Sequence, residues 1–363
     1  MRVALVHYWL VKWRGGERVL KAIADLFPAC DIYTHVFDPE LVSQELPDHN
    51  ISTTFIAGLP FARRFYRRYY PLMPLALEQL DLRGYDLVIS SESGPAKGVV
   101  LGPHTTHVCY CHSPMRYAWD MYHEYRAQSG WLTRAFMVPL LSWIRQWDQV
   151  SAQRVDHYVA NSKFVASRIK KYYRRDSVVI FPPVAIDDFC VSTTDEGFYL
   201  FVGQLVPYKR TDLLVDAFNL SGKRLVIIGD GPLLPRLRKI AKPNVQLIGW
   251  QSSSAIRGHY ARCWALLFPG IEDFGIVPVE AMASGKPVIA FKMGGVLETV
   301  VEGVSGMFFT EQTSASIIDA VERFEAGAHR FDPYAIRAQA EKFSTERFNN
   351  QFNEYINAVL ERN

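Results

Sequence analysis

The sequence predicts an α/β protein of two domains, each a parallel sheet with helices on both faces. Three observations carry this reading. The chain has 363 residues, 49% of them hydrophobic, and single cores stop growing at roughly 250–300 residues, beyond which chains divide. Apolar runs of four to six residues alternate with stretches of helical periodicity, as in sheets buried on both faces. Near the middle, "FPPVAIDDF" (Phe181 to Phe189) breaks the alternation with two prolines and two aspartates, and reads as a linker.

In the first half, "VALVHYW", "DIYTHV", "DLVISS", "THVCYCH", "DHYVANS" and "SVVIF" read as strands. "GERVLKAIADLF" and the stretch from Trp131 to Val155 read as helices between them. The second half is more regular. "YLFV", "RLVIIG", "VQLIG", "ALLFPG" and "PVIA" are strands, with helices after Thr211 (a candidate N-cap), after Pro232, across Ile256 to Tyr260 and after Pro278. The last helix carries Phe348, Phe352, Tyr355, Ile356 and Val359 on one stripe. The expected domains are residues 1–183, joined by the terminal helix 345–363, and residues 184–344. Two such Rossmann-like domains facing each other leave a central cleft, and in open α/β sheets ligands bind beyond the carboxyl ends of the strands.

Composition narrows the function. Charged residues are 21% and the net charge is +3, against both disorder and a dedicated nucleic-acid binder. Five scattered cysteines make no disulfide framework and suit a reducing compartment. The first ten residues read as a strand rather than a signal peptide, and no window approaches about 18 uninterrupted apolar residues. Cytoplasmic residence is therefore expected.

Four stretches carry candidate chemistry. In "FPGIEDFGIVPVEAMASG", Glu272 and Glu280 flank Phe274-Gly275 at the end of a strand. The N–H groups around Gly275, Ile276 and Val277 open a helix and suit an anion; carboxylates suit the paired hydroxyls of a ribose or pyranose. Alone, a glutamate near a helix start equally serves as a cap. In "FVGQLVPYKR", Gly203 ends a strand, and Lys209 and Arg210 stand before a helix start, where cations are misplaced unless an anion joins them. In "KWRGGERV", Gly15 and Gly16 would let a ligand approach the backbone; the dinucleotide fingerprint G-x-G-x-x-G is absent, which argues against an oxidoreductase. In "CYCHSPMRYAWD", His112 ends a strand. Cys109, Cys111 and His112 have no second ligand pair at zinc spacing, so no metal is expected.

"VGQLVPYKR", "GDGP", "VQLIGW" and "EDFGIVPVEAMASGKPVIA…GGVLETV" resemble the donor half of glycosyltransferase family 4, the retaining enzymes of the GT-B fold. The resemblance is strongest from Phe201 to Gly306 and reaches Gly15-Gly16 and His112. "YCHSPMRYAWDMY" is most similar to bacterial polysaccharide mannosyltransferases of that family. It implies that Glu272 and Glu280 form the E-x7-E motif, Glu280 on the nucleotide ribose and Glu272 by the donor sugar. Gly275 and Ile276 then donate backbone N–H groups, Lys209 binds the diphosphate and His112 lines the sugar site. Where many members carry arginine this chain has Gln204, a gap for Arg210 to fill. The implied substrate is a nucleotide sugar, GDP-mannose on resemblance alone, with no metal or other cofactor. The implied acceptor is a saccharide or a glycan on polyprenyl diphosphate. A UDP-sugar donor, a non-transferring epimerase or a sugar-nucleotide sensor are the rival readings.

The acceptor leaves a fainter mark. Between Phe61 and Leu77, Arg63, Arg64, Arg67 and Arg68 alternate with Phe65, Tyr66, Tyr69 and Tyr70. Such mixtures suit an anionic membrane surface or a lipid diphosphate, and equally a solvated face with snorkelling arginines. Attachment to the inner face of the plasma membrane is the expectation drawn from them. "SGWLTRAFMVPLLSWIRQW" is expected to be core.

Overall fold

The computed structural model describes residues 1–128 and 130–361; Ser129 of the aromatic stretch and Arg362 and Asn363 of the terminal helix lie outside them. The chain divides into two compact units, Met1–Phe181 with Phe348–Asn363, and Pro182–Arg347.

The first unit holds a seven-stranded sheet. Its strands are β1 (Val3–His7), β2 (Asp31–Thr34), β3 (Ile51–Thr53), β4 (Leu87–Glu92), β5 (Thr106–Cys111), β6 (His157–Ala160) and β7 (Val178–Val179). They lie in the order β3-β2-β1-β4-β5-β6-β7, every pair parallel. β1, β4 and β5 are buried throughout, as a strand covered on both faces must be. The helix Gly15–Leu26 follows β1; its N-terminus is closed by Glu17, whose Oε2 accepts the Arg14 N–H at 3.0 Å. The terminal helix Thr345–Leu360 returns to this unit. Phe348, Phe352, Ile356 and Val359 recur at one-turn spacing and sink into the core beside Leu5, Val108 and Tyr110. The stacked pair Phe348–Phe352 meets the Tyr110 ring edge-on and tilted.

The second unit holds β8 (Tyr199–Val202), β9 (Leu225–Ile228), β10 (Val245–Gly249), β11 (Ala265–Phe268), β12 (Val288–Phe291) and β13 (Gly306–Phe309). The order is β10-β9-β8-β11-β12-β13, all parallel. Both sheets are doubly wound, so each has one place where the strand order reverses: between β1 and β4, and between β8 and β11.

Two expectations are corrected. Thr211 does not cap its helix. Arg210, in the left-handed conformation at φ 52°, stands at the cap, and Thr211 is the first helical residue with a buried, unpartnered hydroxyl. A 3-10 turn at Pro207–Lys209 delivers the chain there, and Asp212 takes the Arg210 guanidinium. The helix Trp131–Ala152 is core only in part. Leu141 and Ile144 are buried, whereas Trp131 is 77% and Phe136 72% exposed. Its C-terminal half has a partner in Met115 and Ala118; its N-terminal aromatics have none that would bury them. Among the described residues, no helix is long and apolar enough to cross a membrane.

Candidate functional site

In the second unit the candidate residues gather at the strand reversal, where ligands of doubly wound sheets bind. The loop after β8 carries Gly203, Gln204, Lys209 and Arg210; the loop after β11 carries Glu272, Phe274 and Gly275. Lys209 Nζ lies 2.6 Å from Glu272 Oε1, both side chains largely buried. Gly270 permits this closeness: a Cβ there would stand 2.8 Å from the Lys209 Cα. The Glu272 carbonyl accepts the Gly295 N–H at 2.9 Å, which pins the loop from behind.

Gly275 begins the helix Ile276–Ala283 with φ 94°, a conformation that costs glycine least. The first N–H groups of a helix have no acceptor within it, and Pro278, its third residue, has no N–H to offer. The remaining donors, at Ile276 and Val277, sit beside the Glu272 loop. The Phe274 ring is buried and meets Phe343 edge-on, so it holds the turn in place. Glu280 is buried one turn into the helix, and its Oε2 accepts the Tyr260 hydroxyl at 3.0 Å. Arg210 is paired with Asp212, Nε to Oδ1 at 3.3 Å. Lys209 and Arg210 thus each already hold a carboxylate, and an incoming phosphate exchanges one anion for another.

In the first unit, Gly15 and Gly16 open the helix that follows β1, and His112 directly follows β5. A Cβ on Gly16 would lie 3.1 Å from the Tyr8 hydroxyl and 3.7 Å from His112 Nε2, so glycine and histidine adjoin. His112 Nε2 meets Ser91 Oγ at 2.9 Å, and its carbonyl accepts from Asn161 at 2.9 Å. Burial holds His112 down to about 3, so it stands neutral near pH 7 and can donate or accept without charge. Sequence reasoning missed the residues that support it. His7 Nδ1 meets the Ser91 carbonyl at 3.1 Å, and His7 Nε2 faces Glu17 Oε1 at 3.9 Å, both side chains buried. The signal was there: histidine at the end of the first strand and glutamate directly after the glycine pair.

The arrangement offers a cation, a helix N-terminus and two carboxylates at one strand reversal, and a neutral histidine against a glycine-led helix start at the other. Residues 13–188 match the family model Glycosyltransferase Family 4, and residues 185–339 match Glycosyl transferases group 1. The two parallel sheets give the fold of the GT-B glycosyltransferases, and the two halves of the chain match glycosyltransferase family models. The chain thus carries the domains of both family models, one in each half. The O-antigen chain mannosyltransferase C of Escherichia coli is 28% identical over 231 residues, 57% of this chain and 62% of that protein. The GDP-mannose-dependent alpha-(1-6)-phosphatidylinositol monomannoside mannosyltransferase of Mycobacterium tuberculosis is 33% identical over 138 residues, 33% of this chain and 36% of that protein. The matched segments thus span from about a third to three fifths of these relatives. Among solved structures, Anabaena HepE in complex with UDP and glucose superposes with a TM-score of 0.75 at 18% identity, covering 98% of this chain and 99% of that one. Sucrose-phosphate synthase from Thermosynechococcus elongatus gives 0.76 at 16% identity, covering all of both chains. At such identities the likeness is one of fold.

Proposed function

We propose that the protein transfers mannose from GDP-mannose to a saccharide or lipid-linked acceptor in bacterial polysaccharide synthesis, with retention of anomeric configuration and without a metal. The observation that carries the reading is the Lys209–Glu272 pair beside the Ile276 helix start, with Glu280 buried behind it. When a nucleoside diphosphate leaves an anomeric carbon, negative charge builds on the β-phosphate, and fixed cations and N–H groups stabilise it most when they need not reorganise. Lys209 and the helix start supply that stabilisation, Glu280 accepts from the ribose, and Glu272, released by Lys209, turns to the sugar hydroxyls. The acceptor hydroxyl then attacks from the leaving-group face and passes its proton to the departing phosphate. Mannose and GDP rest on the similarity to mannosyltransferases.

The UDP-bound HepE structures favour a UDP-sugar as the second reading. A thermal-shift panel of GDP, UDP, ADP and their sugars separates them, since ligand at 100 times its dissociation constant adds about 2.7 kcal/mol. GDP and GDP-mannose are expected to raise the melting temperature; a shift with UDP alone transfers the same chemistry to a UDP-sugar. Turnover is expected to survive EDTA, and its loss with recovery in magnesium would overturn the metal-free reading.

Membrane attachment belongs to the same proposal. Arg63, Arg64, Arg67 and Arg68 are all exposed. Phe61, at the start of the segment, is 75% exposed, and Trp131 and Phe136 add apolar surface. Basic and aromatic side chains together suit the headgroup region of an anionic leaflet.

A further inference from the structure

We infer that a cavity in the first unit binds a phosphate or diphosphate ester carried by the acceptor; this rests on the glycosyltransferase reading and names the acceptor's chemistry. The cavity measures about 290 Å³ and opens beside Gly16. It lies at the reversal of the first sheet, between the loop after β1 and Ser93 after β4, the position at which a doubly wound sheet receives a ligand.

Its lining is cationic. Lys12 and Arg14 come from the β1 loop and Arg67 from the basic segment, against one carboxylate, Glu17. That carboxylate is committed elsewhere: it is 2% exposed, accepts the Arg14 N–H and faces His7. Three cations around one occupied carboxylate leave an excess of positive charge that a multiply charged anion satisfies and a neutral sugar does not. Arginine adds planar, bidentate donors matched to phosphate oxygens. Of the four arginines in the basic segment, Arg67 alone lines the cavity, its guanidinium lying 5.5 Å from the Tyr66 ring centroid. Tyr66 packs on Trp9 at 4.8 Å, and Trp9 on Tyr8 at 4.5 Å. This aromatic wall gives the group attached to the phosphate an apolar face to lie on. The Tyr8 hydroxyl, pushed well above its ordinary range by burial, stays a donor. The donor's own diphosphate has Lys209 and Arg210 in the second unit, so the cavity is assigned to the acceptor.

The test is calorimetric titration of inorganic diphosphate with the donor site filled by GDP or UDP, whichever raises the melting temperature. The wild-type protein is expected to bind inorganic diphosphate under these conditions. Arg67→Gln weakens it about tenfold or more, Arg67→Lys retains most of the affinity, and the triple variant Arg63→Gln, Arg64→Gln, Arg68→Gln binds as wild type. Affinity for the nucleoside diphosphate is the same in all. The inference is overturned if Arg67→Gln leaves diphosphate affinity unchanged, or if it weakens the nucleotide equally and nucleotide abolishes diphosphate binding, which gives the cavity to the donor. Failure of every nucleotide to bind wild-type protein would instead sink the donor reading, while diphosphate titrated alone still reports on the cavity.

Discussion

At the scale of single residues, Glu280 separates binding from folding. It is buried and holds the Tyr260 hydroxyl, so it serves the fold as well as the proposed ribose. Glu280→Ala removes an acceptor and leaves Tyr260 unpaired; hydrogen bonds to charged groups contribute about 1.5–3 kcal/mol, and an orphaned buried donor costs about 1–3. Glu280→Gln keeps an oxygen for Tyr260 and loses the charge. Alanine is therefore expected to lower both nucleotide affinity and melting temperature, and glutamine mainly affinity. Calorimetry beside thermal unfolding reads the two apart, and a glutamine variant with wild-type affinity contradicts the ribose role. The carboxylates, Lys209 and the glycines were legible because their chemistry is local to short motifs. The partners Tyr260 and Gly295 were not, since each meets its glutamate across twenty or more residues of intervening chain.

At the scale of elements, the terminal helix is held by its stripe. Phe352 is fully buried between Phe348 and Tyr110. Phe352→Ala is expected to cost about 3–5 kcal/mol, the usual range for emptying a buried aromatic site, and to lower the urea midpoint at unchanged slope. A loss under about 1 kcal/mol would show that the helix is not integral to the first unit's core. Elements with a strong period were readable, this helix among them. β3, three residues at a sheet edge, carries too few positions to show a period, and β13 hides in "GMFF" behind Gly306, where a Cβ would clash with the Val288 carbonyl oxygen at 2.1 Å. The helix Trp131–Ala152 misled because apolar content reports what a helix could bury, and only the packing around Met115 and Ala118 decides which turns are covered.

At the scale of the whole molecule, buried histidines set the response to acid. His35 and His107 are fully buried, and burial lowers each from 6.5 to about 3. The unfolded chain takes up protons below pH 6.5 that the folded chain refuses, so stability is present above 6.5 and lost as pH falls toward 3, at about 1.4 kcal/mol per pH unit for each group. Glu92, raised by burial to about 7, opposes them between 4.5 and 7 because it keeps its proton when folded. The histidines outnumber it, so acid destabilises. His35→Gln is expected to flatten the fall between pH 6 and 4 by that amount, measured by urea midpoints; an unchanged slope refutes the assignment. The proposed membrane attachment also belongs to the whole surface. Each cation near an anionic leaflet contributes about 1 kcal/mol and is screened within a Debye length. Sedimentation with anionic liposomes at low salt, release at high salt, and loss in a variant with all four arginines changed to glutamine are expected; retention by that variant would move the contact elsewhere. The central claim, a nucleotide-sugar site built on Lys209, is tested most directly by calorimetric titration of the nucleoside diphosphate into wild-type protein and Lys209→Ala. Binding to the wild type, weakened about tenfold or more in the variant, is the predicted result; equal affinity in the two proteins would contradict it.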